Sequence, residues 1–340
     1  MNNGPDPQPP PPAAQLVQFA MGGIVSKIIY VAAKLGIADQ LATGPRTPAQ
    51  ISSAIGAHTQ SLYRLMRTLA GFGVLYEGEG QTFGLTPVGE ALQTGTPGRA
   101  TVLTLCGPLF TQGFDELEHS VRTGETGFIK ATGMNVFEAL AQRPDEAALF
   151  SDTMVGFHGA EPPAVAESYD FSRAGTIVDV GGATGNMLAA ILARHPQPHG
   201  VLFDMPHVVT GAPGLLEQHG VASRVSLASG NFFEAVPSGG DVYILSHVIH
   251  DWSEAQCLAI LGNVRKAMSP SSKLLIVEFV LPTGNTPHPG KVLDMVMMAL
   301  PGGTERTEAE YSALLAKAGF RLDRVIPTAS AASIVEALPA

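Results

Sequence analysis

Apolar positions recur about one helical turn apart from Ala13 onward, at Leu16, Phe19, Ile24, Ile28, Val31 and Leu35, and predict a long helix. Such a stripe packs on a core or, because it opens the chain, equally on a second subunit. A tighter pattern follows. Thr47, Pro48 and Gln50 read as an N-cap, a proline at the first helical position and the glutamine of a capping box. Ile51, Ala54 and Ile55 carry that helix to Gly56, and a second runs from His58 to about Gly71 with Leu62, Leu65, Met66 and Leu69 on one face. GVLYEGEGQTFGLT then reads as a hairpin, and helix, turn, helix and hairpin together predict a winged helix.

Residues 101–168 read as several helices around the loop Arg122–Gly133, with Phe150, Met154 and Phe157 on one face; their expected role is linker and lid. After Asp170 the rhythm changes. TIVDVGG, HGVLFDMP, SRVSLASGNFF, GDVYILSHVIHDW and KLLIVEFVLP are strand-like runs. Helical segments such as ATGNMLAAILARHP and AQCLAILGNVRKAM lie among them. This alternation predicts an α/β, Rossmann-like doubly wound sheet. A helix from Glu308 to Gly319 and two runs, FRLDRVIPT and ASIVEAL, suit a closing antiparallel hairpin and bring the sheet to seven strands. The domain plan is therefore a flexible proline-rich tail (1–12), a winged-helix domain (13–100), a helical linker and lid (101–168) and a catalytic domain (169–340).

Composition narrows the function. Of 340 residues, 45% are hydrophobic, which excludes a disordered chain, and the net charge of −10 argues against nucleic acid or an anionic membrane as the main partner. Within residues 1–100, Lys27, Lys34, Arg46, Arg64, Arg67 and Arg99 nearly balance Asp6, Asp39, Glu77, Glu79 and Glu90. The hairpin tip Glu77-Gly78-Glu79 is a poor wing for phosphates. Two cysteines, Cys106 and Cys257, make neither a disulfide framework nor a zinc cluster and fit a reducing compartment. The start, MNNGPDPQPPPP, has no basic signal region, and Lys27, Lys34 and Asp39 break the apolar stretch from Ala13 to Ala42. A cytoplasmic protein without a membrane partner is expected.

The chemistry centres on Val178-Asp179-Val180-Gly181-Gly182-Ala183-Thr184-Gly185-Asn186, where the first strand of the sheet meets its helix. Glycines let a cofactor touch backbone there, and the helix start offers free N–H groups. The spacing is G-G-x-x-G rather than the dinucleotide G-x-G-x-x-G, and no cationic residue lies near it for a pyrophosphate. Asp204, ending the second strand, can accept two ribose hydroxyls. The acid at Asp179 favours a cationic adenosyl sulfonium over NAD, although Asp179 could equally brace the loop. His250 ends the run DVYILSHVIH at the C-terminal edge of a strand, where doubly wound sheets bind ligands, and Ser253 to Gln256 open the next helix with a capping box. An imidazole there can take a proton from a hydroxyl. His247 reads as structural, and no metal site is assigned, since nothing supports a cluster of His247, His250 and Asp251.

VDVGGATGN, FDMPHVV, SGNFF, SHVIHDWSEAQC, VEFVLP, GGTERTEAEY and AGF fall in the order found in class I S-adenosylmethionine-dependent O-methyltransferases. The sequence resembles the branch shared by plant phenolic and bacterial antibiotic-pathway enzymes, and TPAQISSAIGAHTQSLYRLMRTLAGFGVL resembles its winged-helix dimerisation domain. The likeness spans residues 14–338. It implies S-adenosyl-L-methionine as cofactor, with Asp179, Gly181, Gly182, Gly185, Asp204, Met205, Asn231, Phe232 and Ser246 around it. Asn231 stands where the family commonly has Asp, which removes a charge but keeps an acceptor, and Ser246 stands where plant members often have Lys. His250 becomes the catalytic base. Glu305 and Glu278 match the family's glutamate pair that orients it, although either could be a salt-bridge or cap residue. Met154, Met297 and Trp252 match substrate-facing positions, the methionines being equally at home in a plain core.

The expected activity is transfer of a methyl group from S-adenosylmethionine to a hydroxyl of a small aromatic secondary metabolite, by a homodimer. Rival readings are a cofactor-retaining relative performing hydroxylation or decarboxylation, a dehydrogenase, and a winged-helix transcriptional regulator.

Overall fold

The computed structural model describes residues 11–340; positions 1–10 of the proline-rich tail lie outside the described residues, and the first helix already begins at Pro12. The chain forms two compact units: residues through Thr111 together with Leu140–Phe157, and Gln112–Ala139 together with His158–Ala340. The stretch 101–168 is thus divided between the units rather than forming a body of its own.

In the first unit, helix Pro12–Lys34 buries only Ala32 and Ala33 and leaves Leu16, Val17, Phe19, Ile24 and Val31 exposed. Its lysines do not break it: at 23 residues it is long and apolar enough, by length and composition, to cross a membrane. Thr47 caps helix Pro48–Ile55 through the expected reciprocal bonds with Gln50, and Gly56 ends it at φ 68°. Helix Thr59–Gly71 buries Leu62, Met66 and Leu69, and strands β1 (Leu75–Glu77) and β2 (Phe83–Leu85) pair antiparallel as the wing. Phe150, half-buried, stacks on Phe110 at 5.8 Å.

The second unit holds the sheet: β3 (Thr176–Val180), β4 (His199–Asp204), β5 (Val225–Ser229), β6 (Val242–Ser246) and β7 (Lys273–Glu278), then, after the short β8 (Val280–Leu281) and β9 (Arg306–Thr307), β10 (Phe320–Pro327) and β11 (Ser333–Pro339). The order is β10-β11-β7-β6-β3-β4-β5, parallel from β7 to β5 and closed by the antiparallel hairpin. Central strands β3, β6 and β7 are buried on both faces, hence their unbroken apolar runs. One core contains Ile177, Leu188, Ile191, Leu202, Ile244 and Val277; another contains Val178, Tyr243, Leu245, Ile260, Leu274 and Tyr311. The strand order reverses at β3, between β4 and β6, where such sheets open a crevice at their C-terminal ends.

Two features were not legible in the apolar pattern. β8 and β9 pair parallel over two residues each, Val280 against Arg306 and Leu281 against Thr307. Thr307 also starts helix Glu308–Lys317 with a capping box to Glu310.

Candidate active site

The glycine loop lies at the end of β3. Gly181 has φ 72° and Gly185 φ 87°, left-handed conformations that glycine adopts without penalty. Space matters as much: a Cβ on Gly181 would meet Val248 Cγ2 at 2.9 Å, and one on Gly182 would meet Leu202 Cδ1 at 2.5 Å and Asp179 Cγ at 2.6 Å. The N–H groups of Gly181 and Gly182 donate to Phe203 O at 2.8 and 3.3 Å, pinning the loop to β4.

Asp204 ends β4. Its Oδ2 accepts the Ala183 N–H at 2.9 Å and its Oδ1 the Met205 N–H at 2.6 Å, and each oxygen retains a further acceptor site for a ribose hydroxyl. Met205 is exposed beside it. Asp179 is completely buried on β3, and neither carboxyl oxygen finds a hydrogen-bond partner, so it does not hold the loop by hydrogen bonds. Burial first, and the neighbouring Asp204 second, push its pKa up to about 7. Asn231 Oδ1 accepts the Phe233 N–H at 3.0 Å. Phe232 packs edge-on to Phe233 at 4.9 Å and Trp252 at 6.1 Å, and Trp252 stacks on Phe137 at 6.0 Å. Ser246 ends β6 opposite Val277 of β7. A glycine cradle, a ribose-ready carboxylate, an aromatic wall and an uncompensated buried acid fit an adenosyl group bearing positive charge.

His250 sits in a short helical turn, Ile249–Asp251, between β6 and helix Glu254–Ala267, whose capping box joins Ser253 and Gln256. The imidazole is buried. Its Nδ1–H donates to Glu305 Oε1 at 2.6 Å, so the neutral ring carries its lone pair on Nε2, which faces Asp251 Oδ1 across 3.6 Å, too far for a hydrogen bond. Glu278 acts differently from the expectation that both glutamates hold the ring. Its Oε1 accepts the backbone N–H of His250 at 3.1 Å, and its Oε2 accepts the Tyr311 hydroxyl. Burial opposes the imidazolium. Asp251, the Glu305 hydrogen bond and the charges of Glu278 and Glu305 outweigh it and hold the His250 pKa above its ordinary value.

The loop carrying Glu305 is fixed to the same turn. Thr304 N donates to His250 O at 2.8 Å, Arg306 Nη1 to Ile249 O at 3.3 Å, and Glu305 N to Asp294 Oδ1 at 2.9 Å. A Cβ on Gly303 would fall 1.7 Å from His250 O, so only glycine permits this approach. Glu305 Oε2 is buried without a partner, and burial raises the pKa of its carboxyl.

Met297 is buried on helix Pro289–Ala299 and its carbonyl accepts from Gly302 N at 2.8 Å. Met154 belongs to the first unit, whereas the residues above belong to the second. Sequence reasoning passed over Tyr311, Asp294, Gly303 and Arg306; the paired glycines of GGTER were the one available signal. It also passed over a second cluster. His247, taken as structural, donates from Nε2 to Glu161 Oε2 at 2.6 Å, and His158 Nδ1 lies 3.2 Å from both Glu161 oxygens. Burial opposes the Glu161 charge, but the hydrogen bonds of His158 and His247 hold its pKa at about 2.

Comparison with known proteins agrees with this geometry. A family model for the O-methyltransferase domain matches residues 114–321, and one for the O-methyltransferase dimerisation domain matches residues 17–95. A phenazine O-methyltransferase, PhzM, of Lysobacter antibioticus is 42% identical over 97% of this chain and 97% of its own length. The crystal structure of LaPhzM superposes with a TM-score of 0.91 at 42% identity, covering 97% of this chain and all of that one (100%). NcsB1, an O-methyltransferase from neocarzinostatin biosynthesis solved with S-adenosylmethionine and 2-hydroxy-5-methyl naphthoic acid, matches with a TM-score of 0.80 at 33% identity, over 93% of this chain and 96% of its own. The chain belongs to the S-adenosylmethionine-dependent O-methyltransferases that carry an N-terminal dimerisation domain.

Proposed function

We propose that this enzyme methylates a hydroxyl of a small aromatic secondary metabolite, with His250 as general base and Glu305 as the group that orients it. The observation that carries the reading is the 2.6 Å bond from Nδ1 to Glu305, because it fixes the tautomer with a basic Nε2. When bound, S-adenosylmethionine supplies an electrophilic methyl group on a sulfonium. Nε2 takes the proton from the acceptor hydroxyl, Glu305 stabilises the resulting imidazolium, and Glu278 holds the backbone of residue 250 in register. Asp204 binds the ribose hydroxyls, Gly181, Gly182 and Gly185 admit the cofactor to the backbone, and Asn231, Phe232, Met205 and Ser246 surround its adenosyl group. Asp179 contributes a buried acid beneath the loop. Trp252 and Met297 shape the acceptor pocket. The aromatic class is supported by the phenazine and naphthoic acid named for the relatives.

The dimerisation-domain match and the exposed apolar face of helix Pro12–Lys34 support a homodimer in which a second copy covers that face. A cytoplasmic location belongs to the same reading, supported by the free thiols of Cys106 and Cys257. Radiolabelled methyl transfer from S-adenosylmethionine to a panel of phenols, phenazinols and hydroxynaphthoates tests the proposal. Transfer that His250→Ala abolishes is expected. Transfer undiminished in that variant, or hydroxylation or decarboxylation in place of methylation, overturns it.

A further inference from the structure

His158 ends helix Pro144–His158, Glu161 begins helix Glu161–Ser168, and His247 follows β6. Their ligating atoms all lie within 4.8 Å of one another. The two imidazoles face each other at 3.8 Å between ring centroids, with Glu161 bonded to both. Three features separate this cluster from an ordinary hydrogen-bonded patch. Glu161 is 3% exposed, and both of its ion-pair partners are imidazoles, whereas the equally buried Glu336 pairs with Lys273 and Arg324. His247 Nδ1 is buried and has no hydrogen-bond partner, so half of that ring's bonding capacity is unused. His247 is also held at φ 52°, a left-handed conformation that residues with a side chain rarely adopt.

We infer that His158, Glu161 and His247 form a binding site for one divalent transition-metal ion of the zinc class, adjoining the His250–Glu305 pair, whose imidazole lies 5.1 Å from that of His247 between ring centroids. Two imidazoles and one carboxylate are a borderline-soft donor set that suits zinc, with a fourth position left for water. At metal–ligand distances of about 2.0–2.1 Å, neighbouring donors of a tetrahedral site stand roughly 3.3 Å apart. The 3.2 Å separation of His158 and Glu161 already matches. The 2.6 Å separation of Glu161 and His247 must open by several tenths of an ångström as the bridging proton gives way to the ion. His158, at 21% side-chain exposure, provides the entry side. The ion would tie the turn between two helices to the end of β6, on the strand that leads to His250.

The inference is independent of the acceptor's identity. Full-length protein, treated with EDTA and desalted, is titrated with Zn²⁺ against a chromophoric chelator and with Co²⁺ by visible absorption. One equivalent per chain with tetrahedral Co²⁺ bands is expected, with affinity weakened at least tenfold in Glu161→Gln and in His158→Ala. Circular dichroism and S-adenosylmethionine binding report folding in each variant, and the partly exposed His158→Ala decides if Glu161→Gln does not fold. No uptake by the wild type, or equal uptake in a folded His158→Ala, overturns the site and leaves the methyltransferase reading untouched.

Discussion

His250 and Glu305, 55 residues apart in sequence, meet at 2.6 Å in a buried bond between Nδ1 and Oε1. Three backbone devices hold them there: the Thr304 bond to His250 O, the two-residue pairing of β8 with β9, and the close approach of Gly303. Each can be tested separately.

Replacing His250 by Ala is expected to lower kcat by about 10²–10⁴-fold with cofactor affinity retained. Glu305→Gln tests the electrostatics. The carboxylates around His250 favour its charged form, so its folded-state pKa lies above the ordinary value and the neutral, active fraction grows as pH rises. Removing the Glu305 charge weakens that preference. The rising limb of the kcat/KM profile moves to lower pH while the plateau falls, and a limb that stays in place would count against the pairing.

Gly303→Ala places a methyl group on the backbone carbonyl of His250, where no side chain can yield. A stability loss of about 1–3 kcal/mol or more is expected by thermal denaturation, together with a fall in kcat larger than the fall in stability explains.

Asp179 couples stability to pH. Its folded pKa, about 7, stands above the ordinary 3.8, so its cost to folding is absent below the lower value, grows as pH rises and is complete above the higher one. Asp179→Asn is therefore expected to stabilise the cofactor-free protein at pH 8 by on the order of a few kcal/mol, with the gain fading towards pH 4. Melting curves across that range check the sign.

Asp204→Ala is expected to weaken S-adenosylmethionine binding at least tenfold in calorimetric titration, since hydrogen bonds to a charged group contribute about 1.5–3 kcal/mol each. Unchanged affinity would remove Asp204 from the ribose site.

Phe19 is 76% exposed on helix Pro12–Lys34. If a second copy covers that face, Phe19→Glu places charges in the interface and shifts the protein towards monomer in light scattering. A wild type that is already monomeric would refute the homodimer.

Much of this was legible in residue patterns, for identifiable reasons. Capping boxes at Thr47 and Ser253 are satisfied within four residues, so their helices begin where local chemistry predicts. Strands β3, β6 and β7 are buried on both faces, and their continuous apolar runs announce them. The wing and the closing hairpin, built from neighbouring segments, were equally readable. The helices of the 101–168 segment were readable too, but their division between two units was not, because it depends on contacts far apart in sequence.

By itself the sequence determined the local elements, the glycine loop with its acids, and the histidine at a strand end, since each depends on side chains only a few residues apart. Tertiary structure alone decided which carboxylate holds the His250 ring and which holds its backbone. Glu305 and Glu278 are equivalent as residue types, and only the register of β8 against β9 and the bond from Tyr311 distinguish them. It alone also brought His158 and Glu161 to His247, which lies 86 residues from Glu161, because partners that distant are selected by packing and leave no periodicity in the chain.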